Sequence, residues 1–388
     1  MTPPPLSVYV HFPWCVSKCP YCDFNSHALR EALPELRYID TLIEDLHAQA
    51  SRVTSLAAQR QVISVFMGGG TPSLFSPAAI ERVIKALRAT LPMAPDAEIT
   101  LEANPATVER GRFAEYRDAG INRVSLGAQS FDPKALQALG RIHKVEDVHR
   151  AAEELHACGL SNFNLDLMYA LPGQNLAGAL SDLTSALALQ PAHLSHYQLT
   201  LEPGTLFAHA PPPLPDEDLS FAMQIECHAV LASHGYAQYE TSAFSRAGRQ
   251  CVHNLNYWNF GDYLGLGAGA HGKLTAATVE RSTHLREPRR YLASASSPEW
   301  RIVPQGDLPF EFMMNALRLT AGFGREQFAG RTGVALETIQ PLLADLADEG
   351  LLEANDSGWR PSPMGQLFLN DVIARFLPRQ ISQAGTGS

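Results

Sequence analysis

The chain has 388 residues, 45% of them hydrophobic and 18% charged, which is enough for two or three packed domains. Its formal net charge of −10 counts against a nucleic-acid partner, because phosphate binding needs an excess or a patch of Lys and Arg. No apolar run reaches the roughly 18–20 residues of a membrane span, and MTPPPLSVYV is not a secretory leader, so a cytoplasmic protein with no membrane span is expected.

The first two hundred residues alternate strand and helix signals. Short β-branched or apolar runs predict strands at Ser7–His11, Val62–Met67, Glu98–Glu102, Arg123–Ala128, Asn162–Met168 and Leu194–Thr200. Helical composition fills the gaps at Glu35–Leu56, Pro77–Leu91, Thr107–Ala119, Val145–Ala157 and Asn175–Leu189, with Gly120 and Gly159 placed as left-handed caps. Alternating βα units imply a parallel sheet with right-handed crossovers. Six units are too few for an eight-stranded barrel, so the fold class is α/β, an open partial (β/α)6 barrel over residues 1–205. A Pro-rich connector leads to a helix at Phe221–Ser233 and an α+β extension over 206–304. Beyond it, helices at Phe310–Leu319, Arg325–Thr332 and Leu336–Glu349, a hairpin over 351–361 and a last helix, Met364–Phe376, resemble a small winged-helix module over 305–378. Its second helix has few basic residues, which favours packing or protein contact over DNA binding. Residues 379–388 are expected to be a disordered tail.

Three of the six cysteines stand close together as Cys15-x3-Cys19-x2-Cys22, while Cys158, Cys227 and Cys251 are scattered. Such spacing suits a loop wrapping a soft metal rather than a disulfide set. Three thiolates leave one iron of a four-iron, four-sulfur cluster open; a structural zinc site with His11 or His27 as fourth ligand is the alternative. The polar outliers fall where the predicted strands end: Gly68-Gly69-Gly70-Thr71-Pro72, Glu102, Gln129, Asp166 and Gln198. In parallel barrels that C-terminal rim carries the site. The cysteine loop follows the first strand at the same rim. Two other motifs are read as silent. Gly267 to Gly272 spells GxGxxG but lacks the surrounding βαβ unit of a nicotinamide site. The basic run Arg286–Arg290 reads as a solvated face.

Cys-x3-Cys-x-Tyr21-Cys, placed after a strand and before GGGTP, resembles the radical S-adenosylmethionine superfamily. That resemblance implies a [4Fe–4S] cluster on Cys15, Cys19 and Cys22, whose open iron takes the amine and carboxylate of S-adenosylmethionine and whose electron cleaves the sulfonium to a 5′-deoxyadenosyl radical. It also implies S-adenosylmethionine contacts from Tyr9, Tyr21, Gly69, Gly70, Thr71, Glu102, Gln129, Arg141 and Asp166. Gly69 and Gly70 would let backbone approach a ligand amine, Tyr21 would stack near adenine, and Tyr9 would point toward the cluster if Val8 and Val10 point away.

Within the superfamily, YVHFPWC, CPYCDF, FMGGGTPS, Glu102 with Asn104-Pro105, SLGAQSF, LGRIHK and NLDLMYALPGQ are similar to the oxygen-independent coproporphyrinogen III oxidase group. The oxidases of that group carry a further cysteine where this chain has Phe24, and a longer segment ahead of the cluster than the fourteen residues before Cys15. The group's heme-chaperone branch is marked by His-Asn-x-x-Tyr-Trp, matched by His253-Asn254-Leu255-Asn256-Tyr257-Trp258. That match implies heme binding at His253, Asn254, Tyr257 and Trp258, with Cys251 as a competing ligand. Imidazole is a common iron ligand, and flat aromatics suit a flat macrocycle. The implied partners are heme, heme-accepting apoproteins (including acceptors at a membrane surface) and an electron donor to the cluster. The implied function is heme binding and transfer, with oxidative decarboxylation of coproporphyrinogen III as the alternative.

Overall fold

The computed structural model describes residues 1, 3–57, 60–106, 111–294 and 297–378. Six parallel strands follow one another across a sheet: β1 (Leu6–Phe12), β2 (Val62–Gly69), β3 (Met93–Ala103), β4 (Arg123–Gln129), β5 (Phe163–Tyr169) and β6 (His193–Gln198). Helices Glu35–Ala57, Pro77–Thr90, Arg112–Ala119, Val145–Ala157 and Leu176–Ala188 make the crossovers. This is the expected partial barrel, enlarged at both edges by the extension. Strands β7 (Ala237–Glu240) and β8 (Ala243–Ser245) add antiparallel beside β6. Strand β9 (Asp262–Leu266) joins β1 as a seventh parallel strand, followed by antiparallel β10 (His271–Thr275), β11 (Val279–Thr283) and β12 (Glu299–Ile302). The order is β12-β11-β10-β9-β1-β2-β3-β4-β5-β6-β8-β7. The extension therefore shares the barrel's sheet, and Leu264, Leu266 and Leu274 belong to the barrel's hydrophobic core.

Alternation along the strands sorts the two faces. Val8 and Val10, Val65 and Met67, Ile99 and Leu101, Val124 and Leu126, and Leu165 and Leu167 are fully buried in the core that the crossover helices cover. The intervening residues turn a polar face to the lumen: Ser7, Ser64, Thr100, Ser125 and Asn164 are all buried. Most of these buried groups bond to one another: Ser7 Oγ and Ser64 Oγ lie 2.7 Å apart, and Asn164 Nδ2 donates to Ser125 Oγ (2.8 Å), while Thr100 Oγ1 has no hydrogen-bond partner among the described residues.

The C-terminal module has its own core of Phe312, Phe328, Leu343, Leu346 and Trp359, among others. Helices Leu308–Ala316, Arg325–Thr332 and Gln340–Asp348 pack with a three-stranded sheet of β13 (Phe323–Gly324), β14 (Leu352–Ala354) and β15 (Gly358–Pro361). Two expected helices are shorter than their patterns. Leu336–Glu349 opens as a 3₁₀ turn because Pro341 has no N–H to donate and fits only the first turn of an α-helix. Met364–Phe376 is split at Phe368. The Gln340–Asp348 helix carries no Lys or Arg. The start of the expected helix at Thr107 and the tail 379–388 lie outside the described residues, among which no helix is long and apolar enough to cross a membrane.

The GxGxxG segment turns β9 into β10 and braces the cysteine loop. Gly267 N–H donates to Asp45 Oδ2 (3.2 Å), and Ala268 N–H donates to the Tyr38 hydroxyl (3.1 Å), which donates to His11 O (2.6 Å). Asn25 Nδ2 donates to Ala268 O and to Arg286 O, both at 2.9 Å. At Gly269 (φ 77°) a Cβ would stand 2.2 Å from Asn25 Nδ2. Gly269→Ala is therefore expected to lower stability by roughly 2–3 kcal/mol, against about 1 kcal/mol for Gly159→Ala, whose positive φ opens on free space. Denaturant unfolding of the two variants checks this; equal losses would remove the loop contact from the account.

Candidate functional site

The C-terminal ends of β1 to β6 open into a cavity of about 400 Å³. Its wall contains Cys15, Cys19 and Cys22 together with Tyr21, Gly69, Gly70, Thr71, Glu102, Gln129, Arg141 and Asp166. The rim reading thus brings eight of the nine expected ligand contacts to one cavity with the three cysteines. Tyr9 is the exception, and the HNLNYW segment lies elsewhere.

The thiols are held individually. Arg141 Nη1 points at Cys19 Sγ (3.7 Å) while its Nη2 donates to Gly127 O (2.8 Å). Cys22 Sγ lies 3.7 Å from Ser26 Oγ. Burial pushes the Cys15 thiol up, against hydrogen bonds from Thr71 and Ser26. Neither histidine of the zinc alternative joins them. His11 Nε2 donates to Asn25 O (2.9 Å), which leaves Nδ1 to accept from the Tyr9 hydroxyl (2.9 Å); both nitrogens are used. Burial holds His11 neutral, its pKa lowered to about 4. His27 turns to Asn25 Oδ1 (3.3 Å).

The glycine strip has a role that spacing alone did not show. A Cβ on Gly69 (φ 110°) would meet His11 Cε1 at 2.2 Å, and one on Gly70 would meet Trp14 O at 2.6 Å. Gly70 N–H donates to Phe12 O (2.7 Å) and Thr71 N–H to Trp14 O (2.8 Å). The missing side chains first admit the cysteine strand, and the ligand face is what remains.

Two carboxylates close the cavity floor. Glu102 Oε2 accepts from Gly69 N–H (3.0 Å), and burial, then repulsion from Asp166, pushes its pKa up to about 8. Asp166 accepts from Asn164 Nδ2 (2.8 Å) and Ser125 Oγ (3.3 Å); burial raises it too, with these bonds opposing. Gln129 ends β4 in the left-handed region (φ 67°), a strained position for a residue with a Cβ, and a Cβ on Gly127 would stand 3.0 Å from its Nε2. Tyr21 packs at 6.4 Å from Phe207, with Arg141 and Cys19 beside it.

Tyr9 faces the lumen below this cavity, not the cavity itself. Its ring stacks on Phe66 (6.4 Å) and its hydroxyl is spent on His11. Beneath it, helix Val252–Trp258 plugs the barrel floor. His253 is 1% exposed, with Nδ1 3.0 Å from Ser64 Oγ and its ring 5.1 Å from Phe66 and 4.6 Å from Tyr257. Burial, then Arg123, depresses its pKa to about 3, and Nε2 has no hydrogen-bond partner among the described residues. Asn256, one of the two variable positions of the motif, donates from Nδ2 to Ser7 Oγ (2.9 Å) and to Asp262 O (2.8 Å). Trp258 lies under the Arg318 guanidinium at 4.4 Å. Cys251 is buried against Glu98, its thiol pushed up to about 12 by burial. Of the four residues expected at a heme, His253 is buried in this arrangement, while Asn254, Tyr257 and Trp258 are half-buried.

Residues 9–182 match the Radical SAM superfamily, and residues 303–368 match the HemN C-terminal domain. "Heme chaperone HemW" of Escherichia coli (strain K12) is 48% identical over 376 residues, covering 96% of this chain and 98% of its own. The chain belongs to the HemW family. The HemW protein of Bacillus subtilis (strain 168) is 31% identical over 379 residues, covering 96% and 99%. Among solved structures, the radical SAM enzyme coproporphyrinogen III oxidase (HemN) from Escherichia coli superposes with a TM-score of 0.81 at 23% identity, over 96% of this chain and 90% of that one, a likeness of fold. Superfamily membership brings a [4Fe–4S] cluster and S-adenosylmethionine, and the cavity fits them: three thiols stand at one wall, two buried carboxylates at another, and backbone freed of side chains between.

Glu102 gives a pH signature. Its folded pKa lies above the unfolded value of 4.5, so between those values the folded state holds a proton that the unfolded state has lost, and stability falls as pH rises from about 4.5 to 8. Glu102→Gln is expected to flatten that decline and to be more stable than wild type at pH 8 by on the order of 1–2 kcal/mol, discounted for access from the cavity. Thermal unfolding of the metal-free protein across this range checks it; parallel curves would contradict the assignment.

Proposed function

We propose that this chain is a heme-binding and heme-transfer protein that keeps a working cluster and S-adenosylmethionine cavity. The observation that carries the reading is its similarity along nearly the full length to proteins named heme chaperone HemW, at 48% and 31% identity. Two features of the site support it. Phe24, which replaces the further cysteine of the oxidases, is 60% exposed at the cavity mouth. Val16, Ile142 and Tyr197 are exposed around the same mouth and give a polar cavity an apolar rim, a surface suited to a flat hydrophobic ligand. The cluster, when bound, supplies single electrons to the sulfonium beside it. The chain's own residues hold the sulfurs (Arg141, Ser26, Thr71) and present the carboxylates (Glu102, Asp166). On this reading no iron ligation is routed through His253, whose ring is buried against Phe66 and Tyr257. Acceptor apoproteins, peripheral contact at a membrane surface, a cytoplasmic location and an electron donor belong to the same proposal.

The test pairs two assays on anaerobically reconstituted protein. Hemin is expected to bind at about one per chain with no conversion of coproporphyrinogen III; robust protoporphyrinogen formation would establish the decarboxylase reading instead. His253→Gln, which keeps a buried hydrogen bond, is expected to leave the Soret band in place and hemin affinity within about twofold. A displaced band would show that the floor opens and that the imidazole reaches iron.

A further inference from the structure

On the side of the cysteine loop away from the cavity mouth lies a second depression of about 670 Å³, walled by Trp14, the 27–37 segment and the 287–292 segment. Its surroundings run against the charge of the chain. Lys18, Arg30, Arg37, Arg286, Arg289 and Arg290 are all exposed there, in a protein with 30 basic and 40 acidic residues. The carboxylates nearby are Asp23, Glu31 and Glu287. Six basic side chains against three carboxylates leave this face net positive. Glu287 is committed to its own backbone, accepting from Arg289 N–H (3.0 Å) and Arg290 N–H (2.7 Å), bonds that lower its pKa. Glu31 meets Arg289 at 3.2 Å with both side chains about four-fifths exposed, a solvated pair that gives up little when it re-pairs.

The same segment is joined directly to the cluster ligands. Trp14–Cys15 pairs as a short strand with His27–Ala28, and Leu29 N–H donates to Cys15 O (2.9 Å). Ser26, next to His27, touches Cys22 Sγ. One hydrogen-bonded backbone layer therefore separates the ligand cysteines from the basic surface. The cavity mouth on the other side must stay free for ligand, so an electron reaching the cluster needs another approach.

We infer that this basic face, centred on Arg286, Arg289 and Arg290, is the docking surface for a small acidic one-electron carrier protein that reduces the cluster. The inference rests on the cluster assignment above. One electron leaves the carrier's reduced centre and enters the cluster; from a flavin hydroquinone anion the product is the neutral semiquinone, so no proton moves. Charge complementarity supplies the partner class and fixes the signature: association that is fast at low salt and weakens steeply as salt is added.

The test uses cluster-loaded protein with a flavodoxin and, separately, a [2Fe–2S] ferredoxin as probes. Binding is measured by calorimetry and cluster reduction by stopped-flow absorbance. Wild type is expected to bind at least one probe, and the R286E/R289E/R290E variant to bind it about tenfold or more weakly, with a matching loss of reduction rate. K85E, a reversal on an exposed position of the Pro77–Thr90 helix, is the control and is expected to stay within about twofold. Reduction by dithionite and hemin binding are expected to be unchanged in all three proteins. Their loss would mean that the cluster or heme reading had failed rather than the docking surface. Wild-type protein that binds neither probe, or a triple variant that binds and is reduced like wild type or like K85E, overturns the inference.

Discussion

The site depends on how closely two stretches of backbone approach each other. The strip Gly68–Thr71 at the end of β2 lies against the end of β1, at Gly69 and Gly70 too close to admit a side chain. Two bonds, Gly70 N–H to Phe12 O and Thr71 N–H to Trp14 O, register the strip against the strand that carries Cys15. On its other face Gly69 N–H is taken by Glu102. The cysteine loop, the glycine strip and the cavity carboxylate are thus one rigid unit, and a β-carbon at either glycine would separate them. His11 lies within the same contact: it fills the space above Gly69 and ties Tyr9 to Asn25, whose amide reaches the turn after β9.

Below that unit the lumen is lined by buried polar groups and by the half-buried aromatics Tyr9, Phe66 and Tyr257. Tyr239 bonds His193, His193 bonds Asn164, and Asn164 bonds Asp166, so the cavity carboxylate stands on a hydrogen-bonded column running down from the mouth. Arg123 is 2% exposed and faces Glu98 at 3.8 Å. The Val252–Trp258 helix completes the floor through His253 and Asn256. The network is not complete: Arg123 Nε, His253 Nε2, Asn256 Oδ1 and Thr100 Oγ1 have no hydrogen-bond partner among the described residues. Burial above it raises the pKa of both Glu102 and Asp166.

Much of this was legible in the sequence because topology decides it. A parallel βα repeat puts its strand ends on one rim, so Glu102, Gln129 and Asp166 could be placed in one mouth from strand boundaries alone, although β3 begins five residues earlier than its pattern. What stayed hidden was contact between distant segments. Tyr9 was given its lumen face by alternation, which says nothing about height in a barrel. The place of the HNLNYW segment could not be read because residues 236–300 show no clean period; β9, which follows it, pairs with β1 and brings His253 under the barrel, where it is buried. Asn256 and Asn25 gave no signal, since their work is to bond backbone and hydroxyls that only the fold brings near. Arg286–Arg290 was legible as charge but not as a neighbour of the cysteines, some 260 residues earlier in the chain.

The central claim is that Cys15, Cys19 and Cys22 hold a cluster whose remaining iron faces the cavity floored by Glu102 and Asp166. Electron paramagnetic resonance of the reconstituted, dithionite-reduced protein, recorded with and without S-adenosylmethionine, tests this most directly. The account predicts a [4Fe–4S]⁺ signal whose g-values shift on addition of the ligand in wild type, with the shift weakened in Glu102→Gln. Identical spectra with and without S-adenosylmethionine, at saturating ligand and full cluster occupancy, would contradict it.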